Sequence, residues 1–92
     1  MNRDALAKEM KKIMKTGKVY LGYRQALKAI KKGEAKLIIV ASNAPETIDT
    51  DVPVIKFEGD GFELGALCGK PFSVSVVTVV SEGESNILSM VK

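Results

Sequence analysis

A glycine followed by regularly spaced cations is the pattern in this sequence with the clearest chemical meaning. Gly22 follows the segment KVYL and precedes a helical run, on which Arg24, Lys28 and Lys31 recur at i, i+4 and i+7 and share one face. The N-terminus of a helix with cations beside it attracts phosphate groups. On these residues alone, a half-buried helix with a solvated basic face is the simpler interpretation.

Two other loops carry groups that suit unpaired nucleic-acid bases. Asn43 follows a buried strand and offers both a hydrogen-bond donor and an acceptor, although it could equally cap a helix. Phe72 follows Pro71 just before another strand, where an aromatic ring either packs in the core or stacks on an unpaired base. Ligands of α/β sheets bind at strand ends and the loops beside them. Gly22, Asn43 and Phe72 therefore fit RNA binding better than catalysis, although for Phe72 alone the core is the simpler interpretation.

The sequence contains few residues or motifs that could support catalysis. The chain has no histidine, which disfavours metal ligation and histidine general-base catalysis. Cys68 has no activating base nearby in the sequence and is most simply a small buried apolar residue. The segment GDGFELG looks like a dinucleotide-binding glycine loop, but it does not open a βαβ unit. We predict no catalytic residue, no metal site and no cofactor. A small-molecule-binding α/β domain built on this loop is kept as the less favoured alternative.

The amino-acid composition limits the classes of protein to which this chain can belong. With 92 residues, of which 46% are apolar, we expect one core and one domain over residues 1–92. No apolar run reaches the roughly 18 residues that a membrane span needs. The charged N-terminus lacks the apolar region of a signal peptide, and one cysteine cannot form an internal disulfide. We therefore expect a cytosolic protein with no membrane partner.

The charges are divided unevenly along the chain. Residues 1–40 contain eleven Lys and Arg against three acids, a net charge of +8, whereas residues 41–92 contain three Lys against eight acids, a net charge of −5. A concentrated source of cations indicates an anionic partner, with nucleic acid the first choice. Charge alone leaves an ordinary solvated surface equally open.

Helices and strands alternate in the predicted order, which favours an α/β fold with a mostly parallel or mixed sheet. After Pro45 the sequence has room for one helical turn at most, and the segment EGES begins a last short helix. The other predicted elements are a helix from Asn2 or Asp4 to about Lys15, a strand Lys18–Leu21, a helix from Gly22 to Gly33, strands Leu37–Ala41 and Val54–Glu58, a helix Phe62–Cys68 and a strand Ser73–Val80.

Three long segments match a known pattern when they are taken together. They are TGKVYLGYRQALKAIKKGEAKLIIVASNAP, FEGDGFELGALCGKPF and EGESNIL, and they cover nearly the whole chain in the expected order. In these segments the chain resembles the L7Ae family of kink-turn RNA-binding proteins, and within it the large-subunit ribosomal branch. The resemblance implies a three-layer α/β/α sandwich with a four-stranded mixed sheet that binds RNA without catalysis.

The resemblance also implies partners and a location. The partners would be a kink-turn in ribosomal RNA and other proteins of the large ribosomal subunit, and the protein would be a monomer when free. Its location would be the cytoplasmic ribosome. Non-ribosomal members of the family, which act in guide-RNA particles or RNase P, remain an alternative.

The RNA-contacting positions of the family have counterparts in three places of this chain. They are Gly22, Arg24, Gln25 and Lys28 at and after the strand-to-helix turn, Asn43 after the second strand, and Phe72, Ser73 and Val74 in the final loop. The resemblance implies that Arg24 and Lys28 contact phosphates, that Asn43 and Gln25 read base edges, and that Phe72 stacks on an extruded nucleotide. A basic residue at position 24, where other branches have asparagine, favours the ribosomal branch.

One departure from the family pattern concerns the chain between Pro45 and Val54. The resemblance implies a full helix here, but the sequence has only TIDTD before the next strand. Either the protein has lost the helix or a segment is missing from the sequence. The second interpretation is favoured, because loss of the helix would strip cover from one face of the strand that contains Leu37–Val40.

Overall fold

The computed structural model describes residues 3–44, 48, 50–85 and 87. Over these residues the chain forms three helices and four strands. They are α1 (Arg3–Thr16), β1 (Lys18–Leu21), α2 (Tyr23–Lys31), β2 (Leu37–Ala41), β3 (Val54–Phe57), α3 (Gly61–Leu67) and β4 (Val76–Ser81). The turn predicted after Pro45 and the final helix predicted from EGES lie largely outside the described residues.

The strands form one mixed sheet in the order β1-β4-β2-β3. The last strand, β4, lies between β1 and β2 and pairs antiparallel with both. The edge strand β3 pairs parallel with β2. The predicted α/β class with a four-stranded mixed sheet is therefore confirmed within the described part of the chain.

The helices cover the two faces of the sheet, which gives the predicted three layers. Helices α1 and α3 pack on one face, and α2 packs on the other. The first core consists of Leu6, Met10 and Ile13 from α1, Leu64 and Cys68 from the α3 end, and Leu37, Ile39, Val77 and Val79 from the sheet, with further neighbours. The second core is smaller and joins Ala26 of α2 to Ile38 and Val76.

Strand β2 is buried from both sides, as its unbroken apolar run predicts. Its side chains alternate between the two cores, so that Leu37 and Ile39 face α1 and α3 whereas Ile38 faces α2. All three side chains are fully buried. A polar substitution on either face of β2 would therefore leave an unpaired group in a core.

The connection from β2 to β3 is short. Residues 42–53 join two parallel strands, and about a dozen residues is the least that a parallel crossover uses. Two apolar residues of this connection, Ile48 and Val52, pack against the core that contains Ile38. Ile38 is fully buried under this connection, whereas Val40 on the same face is only partly buried. The expectation that a segment is missing from the sequence stays a prediction.

The start of β4 differs from the prediction. The alternation in SVSVV predicted a strand from Ser73, but β4 begins at Val76. The reason is that Val74 uses its backbone in another contact, since it donates its N–H to the carbonyl of Gly61 at 2.9 Å. The carbonyl of Ser75 accepts from the N–H of Ala41, at the end of β2, at 2.8 Å. Residues 72–75 therefore form a loop that is tied to neighbouring elements.

In the part of the chain that the structure describes, helices are too short and too polar to cross a bilayer.

Thr78 offers a test of the packing in the centre of the sheet. Its side chain is fully buried, and its Oγ1 has no hydrogen-bond partner among the described residues. We expect Thr78→Val, which keeps the shape and removes the unpaired hydroxyl, to raise the free energy of unfolding by about 1 kcal/mol. Urea denaturation measures this. The neighbouring exchange Val79→Thr introduces a buried hydroxyl and should lower stability. A destabilised but folded Thr78→Val variant would contradict the interpretation.

Candidate nucleic-acid interface

Three of the predicted loops meet at one edge of the sheet. Because β4 is antiparallel to β1 and β2, it begins at the edge where those two strands end. The N–H of Gly22, just after β1, donates to the carbonyl of Val76 at 2.8 Å, and Ala41 at the end of β2 donates to Ser75. The structure thus brings together the segments around Gly22, Asn43 and Phe72, which are far apart in the sequence.

Gly22 has a backbone conformation that requires glycine. Its φ of 104° lies in the region that residues with a side chain rarely adopt. A Cβ placed on Gly22 would meet no atom within 4 Å, so conformation and not crowding accounts for the glycine. Gly22 is the N-cap of α2, and no side chain caps the helix there. The first N–H groups of α2 are consequently open to an anion.

The outer face of α2 is cationic. Arg24, Gln25, Lys28 and Lys31 are exposed, whereas Ala26 and Ala29 are buried against the sheet. None of the three cations forms an ion pair with any residue that the structure describes. The charge on this face is therefore available to a phosphate backbone, as the spacing in the sequence predicts.

Asn43 links two of the loops through one backbone group. Its Oδ1 accepts a hydrogen bond from the N–H of Gly61 at 3.1 Å. The carbonyl of Gly61 in turn accepts from the N–H of Val74 at 2.9 Å. We call these three residues, Asn43, Gly61 and Val74, the Gly61 junction. Since the junction uses the carbonyl oxygen of the Asn43 side chain, its NH₂ group is the part left to face a ligand.

The loop that carries Phe72 is packed closely against α3. A Cβ on Gly65 would overlap the carbonyl oxygen of Phe72, and a Cβ on Gly61 would overlap Oγ of Ser73. The Phe72 side chain nevertheless remains 53% exposed. A core position is thereby excluded for this ring. Phe72 is an exposed aromatic side chain on a backbone that is held in place.

The position of Val74 corrects part of the predicted site. Its side chain is only 3% exposed and packs in the core with α1 and α3. Its N–H is already bonded to Gly61. The side chain of Val74 cannot reach RNA, and its role is to hold the loop. Ser73, in contrast, is exposed beside Phe72.

Sequence reasoning missed the exposure of Phe62. This ring is 71% exposed on α3. Leu64 and Cys68, at i and i+4, are both buried and define the inner side of the helix. Because Phe62 lies off that side, helical periodicity could have identified it.

The glycine-rich segment and the cysteine have structural roles. Asp60 caps α3, since its side chain accepts from the N–H of Glu63 at 2.9 Å. Gly61 and Gly65 allow the close approach of α3 to residues 72–74. Burial raises the pKa of the Cys68 thiol to about 11, which keeps it protonated at neutral pH. Among the described residues no cluster of metal-binding side chains occurs.

One protein family matches nearly the whole chain, including the segments of this edge. The model of the ribosomal protein L7Ae/L30e/S12e/Gadd45 family matches residues 4–89, which include the whole edge described above. The chain belongs to this family. The resemblance inferred from the three sequence segments is thereby confirmed.

The names of similar proteins place those proteins in the large ribosomal subunit. The chain is 42% identical over 93 residues to a protein named large ribosomal subunit protein eL30 from Sulfolobus acidocaldarius, with 91% of this chain and 89% of the relative covered. It is 45% identical over 84 residues to a protein of the same name from Methanosphaera stadtmanae, covering 82% and 86%. These relatives are structural ribosomal proteins, and the prediction that this family member is not an enzyme is confirmed.

The Gly61 junction can be tested by two exchanges at one position. We expect Asn43→Ala, which removes the acceptor of the Gly61 N–H, to lower the free energy of unfolding by about 0.5–1.5 kcal/mol. Asn43→Asp keeps an oxygen in the same place and should retain most of the stability. Chemical denaturation of both variants measures the difference. Equal stability of Asn43→Ala and the unchanged protein would show that the junction contributes nothing.

Proposed function

We propose that this protein is a constituent of the large ribosomal subunit and binds a kink-turn in ribosomal RNA through the edge formed by Gly22, Asn43 and Phe72. Membership of the family and the names of the relatives support the ribosomal part. The observation that carries the RNA-binding part is the Gly61 junction. It holds Asn43 and the Phe72 loop together beside the open N-terminus of α2.

Capture of the RNA begins with charge. Arg24 and Lys28 lie on the exposed face of α2 and contact phosphates, while the uncapped N-terminus at Gly22 offers backbone N–H groups. Lys31 adds to the positive field farther along the helix. Contacts of this kind position the RNA but carry little sequence information.

Recognition of the bent RNA depends on the neutral groups of the edge. The NH₂ group of Asn43 and the side chain of Gln25 reach base edges in the G·A region of the kink, and Ser73 adds a hydroxyl. Phe72 stacks on the nucleotide that the bend extrudes, as aromatic side chains do in single-stranded RNA recognition. The backbone around these groups is already fixed in the free protein. Binding therefore costs little ordering of the loop.

In this proposal the protein acts as a monomer when free, contacts other large-subunit proteins after assembly in the cytoplasmic ribosome, and uses no cofactor.

A gel shift with a kink-turn RNA, and with a variant of that RNA whose G·A pairs are disrupted, tests the RNA specificity. Equal binding to both would contradict it. Co-sedimentation with large subunits tests the ribosomal role, whereas association with guide-RNA particles or RNase P would support the non-ribosomal alternative.

The stacking role of Phe72 predicts a measurable loss. We expect Phe72→Ala to weaken binding to the kink-turn RNA by about 1–3 kcal/mol, the range for one stacked base, without loss of the fold. Phe62→Ala is the matched control, since Phe62 is also exposed but is not one of the predicted contacts. Titrations of both variants, after their folding has been verified by circular dichroism, give the comparison. Unchanged affinity of a folded Phe72→Ala variant would refute the stacking.

The phosphate contact of Lys28 predicts a change in salt dependence. We expect Lys28→Gln to lower the slope of log affinity against log salt by about 0.7–0.9, which corresponds to one phosphate. Lys36→Gln is the control. Lys36 precedes β2 at the opposite edge of the sheet and pairs with Glu82 at 3.4 Å. If both variants keep the slope of the unchanged protein, Lys28 is a solvated residue and not an RNA contact.

A further inference from the structure

The layer that contains α2 covers only part of its face of the sheet. Helix α2 packs against β4 and β1. Over β2 and β3, cover on this face includes Ile48 and Val52 of the short connection. Between that connection and the edge strand β3 the structure has an open cavity of about 320 Å³. The described residues that line it are Val40, Ala41, Ser42, Ala44, Ile48, Val54 and Lys56.

Among the described residues, the lining combines an apolar wall with one cation. Val40, Ile48 and Val54 form the wall, and Val54 is 46% exposed although it begins a strand. Lys56 is exposed at the rim and has no ion pair with any other described residue. The hydroxyl of Ser42 donates to the carbonyl of Gly59 at 2.9 Å, which leaves its oxygen able to accept. A cavity of this size, with few polar groups on an apolar wall, is typical of small-ligand sites.

The cavity is continuous with the RNA-binding edge. Ser42 and Ala44, two of its lining residues, are the neighbours of Asn43. Val54 and Lys56 alternate along β3 with Ile55, which packs on the opposite face, so both lie on the side of the sheet that carries α2. A strand of RNA held by Asn43 therefore reaches the cavity while it stays on the face of the sheet that carries α2.

We propose that the cavity binds one further nucleotide of the RNA, adjacent to the nucleotide that Asn43 contacts. Its base lies on the wall formed by Val40, Ile48 and Val54, and its phosphate pairs with Lys56. The proposal rests on the proposed RNA-binding function. An apolar protein segment would use the same wall, but it would leave Lys56 without a counter-charge. An anionic nucleotide satisfies both the wall and the cation.

The first experiment measures the charge contact. Binding of large-subunit ribosomal RNA is titrated over a range of salt concentrations with the full chain, with Lys56→Gln and with Lys36→Gln. We expect Lys56→Gln to lower the slope of log affinity against log salt by about 0.7–0.9 and Lys36→Gln to leave it unchanged. An unchanged slope for Lys56→Gln would overturn the proposal.

The second experiment measures proximity. A photoreactive benzoyl-phenylalanine is placed at exposed position 54, and the protein is irradiated on large-subunit particles assembled with it. We expect a cross-link to the RNA that maps to one nucleotide next to the kink-turn site. A cross-link to a neighbouring protein, or none to the RNA, would overturn the proposal.

The two proposals fail in different ways. If kink-turn binding and the effect of Phe72→Ala are observed but Lys56→Gln keeps the slope and position 54 gives no RNA cross-link, the cavity proposal is wrong and the proposed function stands. If kink-turn RNA does not bind but position 54 cross-links to one nucleotide of ribosomal RNA, the kink-turn function is wrong and the nucleotide site stands.

Discussion

The structure depends on the antiparallel pairing of β4 with the two strands beside it. Strand β4 is the last of the four strands in the sequence, but it lies between β1 and β2. Its hydrogen bonds to both strands join them into one sheet. This pairing decides which loops are neighbours. The ends of β1 and β2 and the beginning of β4 meet at one edge, so the glycine, the asparagine and the aromatic residue that were separated by tens of residues come together. The candidate site is therefore a consequence of strand order.

Within that edge, rigidity comes from backbone contacts that only small residues allow. Gly61 and Gly65 let α3 approach residues 72–74 so closely that a Cβ at either glycine would overlap the loop. The close approach of α3 has two consequences for this loop. Backbone groups of the loop are paired, which avoids the cost of burying them alone, and the backbone that carries the exposed ring of Phe72 is held in place. A loop that is already ordered loses less entropy when a ligand binds to it.

Local sequence patterns predicted the elements that depend on local physics. Strands Lys18–Leu21 and Leu37–Ala41 occur with the predicted bounds, because short runs rich in β-branched, aromatic and other apolar residues favour strands. The start of β4 was predicted three residues too early, since alternation cannot reveal that the N–H of Val74 bonds to Gly61. The partner of the Asn43 side chain is 18 residues away. Nonlocal contacts of this kind have no signature in the spacing of a single chain.

Two acidic residues lie near this edge, and their negative charge would be expected to repel the phosphates of RNA. Asp60 and Glu63 lie on the segment that contacts the Phe72 loop, in the half of the chain whose net charge is negative. The carboxylate of Asp60, however, accepts from the N–H of Glu63 at the N-terminus of α3. There it faces the positive end of a helix, and its hydrogen-bond capacity is directed inward. The cations of α2 have no comparable partner among the described residues. Thus the two signs of charge have different uses: the acid near the edge stabilises a helix that supports the loop, while the bases face outward. At this edge Asp60 therefore supports the fold, and the proposed contacts with RNA depend on the cations of α2.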